Sequence, residues 1–249
     1  MTQKFLLTKL HADLGNMLKL LDLNIALYND WDTRMPKIVD FIKEQKPDIV
    51  TLEEVMDDAK YNKYGNNQAM QIARATGMSH CAFYLSGNLQ KESPQWVGDR
   101  RARAGDAILS RYALTNIVKR RLQRHRDDRH YRGIVKARIM AKPSIDLIVV
   151  HFSNNDLFSR LHMKEVLGYI KRANIKPIIV GDFNMYPKNI LPMVPKDYTL
   201  SYAAKKYVSF LSEGNTFDYI MLPKGLEFKS LECIDRGFSD HSSLVAEIV

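Results

Sequence analysis

Short β-branched runs that stop at a carboxylate, an amide or an imidazole recur along this chain, and they constrain its fold more than any other feature. Residues 177–187 read PIIVGDFNMYP: an apolar run, a glycine, then Asp182 and Asn184 two positions apart. An apolar run of this length bounded by Pro and Gly reads as a strand buried on both faces. Gly-Asp at its end also serves as an ordinary turn, because Asp and Asn side chains bond nearby backbone. What weakens that reading is repetition. Asn24 follows LLDL, Glu53 and Glu54 follow DIVTL, and His151 follows LIVV. Asp218 begins DYIML, and Asp240 and His241 stand just before the last strand, SSLVAEIV.

Around these runs the pattern is that of one α/β domain. Helical periodicity is expected over residues 34–45, stopped by Pro47, over 67–75 with Gly77 at the C-terminal cap, and from Asn154 or Asn155 to Ala173. Further strands are expected in HCAFYLS, GDAILSRY, LTNIVKRRL, YRGIVKARIM and LEFKSLECI. The glycine-bounded GNLQKESPQWVG reads as a surface loop over the site, with Trp96 in its middle. Without internal repeats or a low-complexity linker, two packed sheets with outer helices form the simplest arrangement. The 45% hydrophobic and 26% charged fractions fit a globular protein with a full core. The apolar stretch at residues 5–10 lacks the features of a signal peptide, and no run approaches the ~18 apolar residues of a membrane span. A cytoplasmic monomer without stable membrane association is expected. Cys81 and Cys233, far apart and alone, read as reduced, packed thiols.

The polar residues at strand ends suit phosphoester hydrolysis. A hard divalent cation such as Mg2+, with Mn2+ as substitute, takes carboxylate, amide and water oxygens, which Glu54, Asp240 and Asn24 offer. An attacking water needs a base that titrates near neutrality, and His241 held by Asp218 fits that role. Developing charge on phosphorus needs donors, for which His151 and the amide of Asn184 are suitable.

The order of LNI, PDIVTLEEV, GDAILSRY, IVVHF, PIIVGDFNM, FDYIML and SDHSSL resembles the endonuclease/exonuclease/phosphatase superfamily, the deoxyribonuclease-I-like fold. GDFN followed by SDH is the specific part. The resemblance runs from about Leu20 to Val249. It leaves residues 1–15 as an extension of unknown role and 16–249 as the domain. It implies a four-layer α/β/β/α sandwich of two mixed β-sheets flanked by helices, with the site at one end of the sheets. It implies Glu54 as principal metal carboxylate, with Asn24 and Asp240 completing the metal and phosphate environment. Asp182 and Asn184 would position nucleophile and phosphate, His241 with Asp218 would act in general base catalysis, and His151 would stabilise the transition state. Whether Asp182 or His241 removes the proton stays open. Two departures stand out: Glu53 where the family usually has Gln, and Leu23 where it often has Trp.

Charge bears on the substrate. The chain carries 37 Lys and Arg against 28 Asp and Glu, and thirteen basic residues against four acidic ones lie between Gly98 and Arg138. A face this basic fits a phosphate backbone, with Arg124, Arg126 and Arg129 as contacts, although a solvated hairpin tip would look similar. The expected activity is a metal-dependent phosphodiesterase acting on nucleic acid, most readily DNA. Abasic-site cleavage, 3′-end trimming, nicking and tyrosyl-DNA cleavage are all open. The alternatives are a phosphatase or phosphodiesterase for inositol phosphates or lipid head groups, and a non-catalytic nucleic-acid-binding module on the same scaffold.

Overall fold

The computed structural model describes residues 17–249, apart from the Trp96 side chain, so the expected extension at 1–15 lies outside the described residues. Twelve strands among them form two six-stranded mixed sheets. The first has the order β11 (Phe228–Ile234), β12 (Ser243–Ile248), β1 (Leu18–Asn24), β2 (Ile49–Asp58), β4 (Ala102–Ser110), β3 (His80–Asn88). The second has the order β5 (Leu114–Arg121), β6 (Gly133–Ile139), β7 (Ile145–His151), β8 (Ile178–Asp182), β10 (Asp218–Pro223), β9 (Tyr198–Leu200). Within them β1–β2 and β7–β8 are parallel, and every other pairing is antiparallel.

Three long helices complete the layers: α1 (Trp31–Gln45), α2 (Gln68–Thr76) and α3 (Asp156–Ala173). Strand side chains alternate between faces, so each buried strand feeds two cores. Leu20, Ile49, Ile108, Val149, Val180 and Ile220 meet between the sheets. Their neighbours Leu21, Val50 and Leu109 pack with Ile38, Phe41 and Ile72 of α1 and α2. On the far side Ile148, Ile179 and Met221 pack with Met163, Val166 and Ile170 of α3. The expected α/β/β/α sandwich follows.

Two local features differ from expectation. Helix α1 begins at Trp31 rather than residue 34, because Trp31 is buried and its Nε1 donates to Gln71 Oε1 of α2 at 3.0 Å. That tertiary bond has no trace in local periodicity. The segment expected as a loop holds two single-turn helices, Leu89–Glu92 and Pro94–Val97. Of the two expected caps for α3, Asn155 serves, accepting from Leu157 N and Phe158 N.

The same alternation builds one end of the interior out of polar groups. On the inter-sheet face, Leu20 is followed by Asp22 and Asn24, Ile49 by Thr51 and Glu53, Val149 by His151, and Val180 by Asp182. Cross-strand register then aligns them: Asn24 with Glu53, His151 with Asp182, and Asp182 with Asp218. A bulge interrupts the pairing of β2 with β4 between Leu52 and Val55, where Glu54 adopts φ +56°. Such a bulge re-aims a side chain that would otherwise point to the opposite face.

Gly181 makes room for this packing. Its φ is +129°, and a Cβ there would lie 2.2 Å from Val150 O and 2.7 Å from Glu53 Oε1. Gly181→Ala is therefore expected to lower stability by at least about 2 kcal/mol through overpacking and backbone strain, read as a reduced urea midpoint.

Candidate active site

A cavity of about 280 Å3 opens at the polar end of the sandwich. Glu54, His151, Asp182, Asn184, Asp240 and His241 line it together, so the expected residues from separate strand ends share one space. Asp218 and Asn24 stand behind the wall. Arg124, Arg126 and Arg129 lie on the loop between β5 and β6 and are not part of the lining.

His241 Nδ1 lies 2.9 Å from Asp218 Oδ2 and 3.1 Å from Oδ1, and both residues are buried. Burial works against a charge on the imidazole. Asp218, followed by Asp182 and Asp240, more than offsets it and raises the His241 pKa to about 10. Without a bound cation, His241 is thus an imidazolium at neutral pH. Asp182 is raised by burial and by the Asp218 charge to about 7. Of these two groups Asp182, not His241, is the one that titrates near neutrality.

Asn184, in the left-handed region at φ +50°, closes a turn on Asp182. Its backbone N donates to Asp182 Oδ1 at 2.8 Å. Its Nδ2 donates to Phe152 O at 3.1 Å and Asp182 Oδ2 at 3.2 Å. Both amide protons are thereby engaged, one by the Phe152 carbonyl and one by Asp182, where the sequence suggested a donor free for phosphate.

Another donor, one that the sequence pattern did not single out, stands in the same cavity. Arg132 lines the cavity, and its Nη1 donates to His151 Nε2 at 2.9 Å. Burial and the Arg132 charge hold the His151 pKa well below its ordinary value, so this imidazole is neutral. Asp106 is the second missed residue: buried, lining the cavity, with Oδ1 3.9 Å from His151 Nδ1. It lies two residues before Ile108 on the inter-sheet face, so parity alone would have found it. Arg132 sits just before β6 in a dense basic run and carries no distinguishing local signal.

On the opposite wall, burial raises the pKa of Glu54, Arg132 opposes that shift, and Asp240 adds to it. Glu54 and Asp240 are hard oxygen donors facing one cavity, which fits a hard divalent cation. Asn24 is less well set. Its Oδ1 accepts from Ala26 N at 3.0 Å, and its amide lowers the Glu54 pKa, so a donor stands where the sequence suggested an oxygen ligand. Another donor group among the described residues is Asp182, Asp218 and His241, whose ligand atoms lie within 4.8 Å of one another. His241 and Asp218 are already bonded to each other, so Glu54 and Asp240 remain the better reading for a principal ion.

Glu53, adjacent to Glu54, points the other way. It is completely buried, and neither carboxyl oxygen has a hydrogen-bond partner. Burial and neighbouring Asp22 hold its pKa well above the usual range. Asp22 is raised likewise, to about 8, by burial and by Asp218, while Thr51 Oγ1 donates to it at 2.5 Å. Arg34 secures the cavity's rim. Its guanidinium donates to the carbonyls of Ile25, Ala26 and Leu27 after β1 and of Phe238 near Asp240.

These shifts set a pH dependence. A group whose folded pKa is raised stabilises the fold below its unfolded value and loses that contribution as pH rises through the folded value. For His241 the window runs from 6.5 to about 10. The thermal midpoint of the protein in EDTA should fall across this window, and more gently in His241→Gln, as measured by calorimetry.

A family model described as "Endonuclease/Exonuclease/phosphatase family" matches residues 23–241. No curated protein matches in sequence. Among solved structures, an endonuclease/exonuclease/phosphatase from Beutenbergia cavernae is similar with a TM-score of 0.75 at 18% identity, over 93% of this chain and 71% of that one. The human Nocturnin catalytic domain is similar with a TM-score of 0.71 at 18% identity, over 94% of each chain. A mannosyl-6-phosphatase from Bacteroides thetaiotaomicron gives 0.69 at 15% identity, over 93% of this chain and 99% of that one. At these identities the structures speak for the fold. The family model spans most of the chain, and the protein belongs to the endonuclease/exonuclease/phosphatase family, whose members are hydrolases acting on phosphoester bonds.

Proposed function

We propose that this protein is a divalent-metal-dependent phosphodiesterase acting on nucleic acid. The observation that carries this reading is the single cavity in which Glu54 and Asp240 share a space with Asp182, the His241–Asp218 pair and the Arg132–His151 pair. Glu54 and Asp240 would hold Mg2+, or Mn2+ in its place, and the ion would supply Lewis-acid polarisation of the phosphoryl oxygens. Asn24, whose side-chain amide lowers the Glu54 pKa, would orient that carboxylate or the phosphate.

The remaining steps belong to the chain. Asp182, held by the backbone N and the side-chain amide of Asn184, would take the proton of the attacking water. The imidazolium of His241, anchored through Nδ1 by Asp218, would present Nε2 as a donor to the charge that grows on phosphorus. Neutral His151 keeps the Arg132 guanidinium oriented toward the same charge. The basic loop with Arg124, Arg126 and Arg129 would run along flanking phosphates. Arg124 and Arg121 both stack on Tyr131, their guanidinium carbons 4.8 and 4.5 Å from its ring centre. Hydrolysis of a small phosphate monoester is the second reading, favoured by the confined volume of the cavity and by the similarity to a mannosyl-6-phosphatase.

A panel with Mg2+ against single-stranded and duplex DNA, abasic duplex, a 5′-phosphotyrosyl oligonucleotide, RNA, inositol phosphates and sugar phosphates separates these readings. Turnover of the sugar or inositol phosphates alone would replace the first with the second. No turnover of any member, with DNA still bound, would leave the non-catalytic module. Among the described residues no helix is long and apolar enough to cross a membrane.

Two further outcomes are expected. Glu54→Gln should lower Mg2+-dependent turnover at least about a hundredfold with the fold intact by circular dichroism, whereas Glu53→Gln should change it less than about threefold. Burial and Asp22 already disfavour a charge on Glu53, and its replacement by Gln leaves a similar shape. Replacing Arg124, Arg126 and Arg129 together with Ala should lower the salt dependence of DNA affinity by roughly 0.7 to 0.9 log units per log unit of salt for each phosphate that the protein no longer neutralises. Turnover of a minimal phosphodiester should be unchanged. An unaltered salt slope would return these arginines to a solvated hairpin tip.

A further inference from the structure

Beside the acidic cavity lies a second hollow of about 280 Å3, and the two share Leu27 and Leu89 as a common ridge. Its character is opposite. Tyr28, Met56, Leu89 and Val97 supply buried apolar walls, and the ring of Tyr61 is half-buried against them.

The walls are fixed rather than fluid. Tyr28 OH donates to Asn62 Oδ1 at 2.8 Å, and the Tyr28 and Tyr61 rings lie 4.7 Å apart at 30°. At the mouth, Arg100 Nε donates to the buried carboxylate of Asp58 at 3.1 Å, and its guanidinium carbon stands 5.8 Å from the Tyr61 ring centre. Only Nε is engaged by a protein side chain among the described residues, so both terminal amines remain as donors. Asn29, exposed on the same rim, adds an amide whose side chain makes no hydrogen bond among the described residues.

An apolar hollow lined by aromatic rings, with free hydrogen-bonding groups of Arg100 and Asn29 at its rim, suits a planar ring with polar edges. Position adds a second condition, since a ligand reaching across Leu27 and Leu89 would keep its phosphate among the catalytic groups. We propose that this hollow is a nucleobase subsite, holding the base of a nucleotide next to the reacting phosphate. This rests on the nucleic-acid reading above and narrows it: the substrate presents an unpaired base, as a single strand, a frayed end or a free nucleotide does, because a base stacked inside a duplex cannot enter a walled slot. A sugar or inositol phosphate has nothing to place there.

The test compares calorimetric affinities of the full chain for adenosine 5′-monophosphate and ribose 5-phosphate, with rates on a single-stranded oligonucleotide and on the same strand lacking the base at the cleaved position. The monophosphate should bind at least tenfold more tightly than the sugar phosphate, about 1.4 kcal/mol. Asn29→Trp, which plugs the mouth from an exposed position, should abolish the preference while ribose 5-phosphate affinity stays the same. Tyr61→Leu, which replaces the flat wall by an aliphatic one, should reduce it. Equal affinities, binding of neither ligand at millimolar concentration, or a preference that survives Asn29→Trp would overturn the subsite. If the preference is present but no phosphodiester is cleaved, the subsite stands and the hydrolytic reading falls. Cleavage that ignores the missing base would leave the hydrolytic reading standing and remove the subsite.

Discussion

The structure depends on how a sandwich of two sheets accommodates ionisable groups between its layers. Burying an unpaired carboxylate costs several kcal/mol, and such groups respond by binding a proton or finding a partner. Both responses occur at one end of the interior. Asp218 is paired with a charged imidazole, whereas Asp22, Glu53 and Asp106 have pKa values raised by burial. The apolar remainder, from Leu20 to Ile220, fixes the sheets firmly enough for this polar end to persist. A cation or a phosphate would enter a site whose charge balance is already set by its surroundings.

The sheet register gives that balance its geometry. His151, Asp182 and Asp218 come from three neighbouring strands and meet because each occupies the same row. Glu54 needs a different device, the bulge in β2, to leave its strand's outer face and join the cavity while Glu53 stays inside. One strand thereby presents two successive glutamates to two environments, one facing the cavity and one sealed between the sheets.

Much of this was legible in the sequence. The strands, the layer order and the residues at strand ends follow from short β-branched runs and their period of two. Asp182, Asn184, Asp218 and His241 could be picked out because each sits where an apolar run begins or ends. The start of α1 could not be read, since Trp31 belongs to the helix through a bond to Gln71 forty residues away. Arg132 was hidden among similar residues in a basic run, and its distinction comes only from the position of His151. The committed amide of Asn184 and the engaged oxygen of Asn24 are matters of rotamer and hydrogen bonding, which composition and spacing do not encode.

Arg34 carries a consequence for how this scaffold can change. By gathering carbonyls from the segment after β1 and from Phe238, 204 positions further along, it welds the two acidic shoulders of the cavity into a single body. Those shoulders cannot be remodelled one at a time, by drift or by design, without loosening the other. The facing wall is clasped separately: the turns at residues 86–97 and the loop leading to Arg132 are tied to each other through Glu92, which accepts from Tyr131 N and contacts His130. Diversification of substrate is therefore easiest on that side, at the turns of residues 86–97, which stand apart from the Arg132–His151 pair.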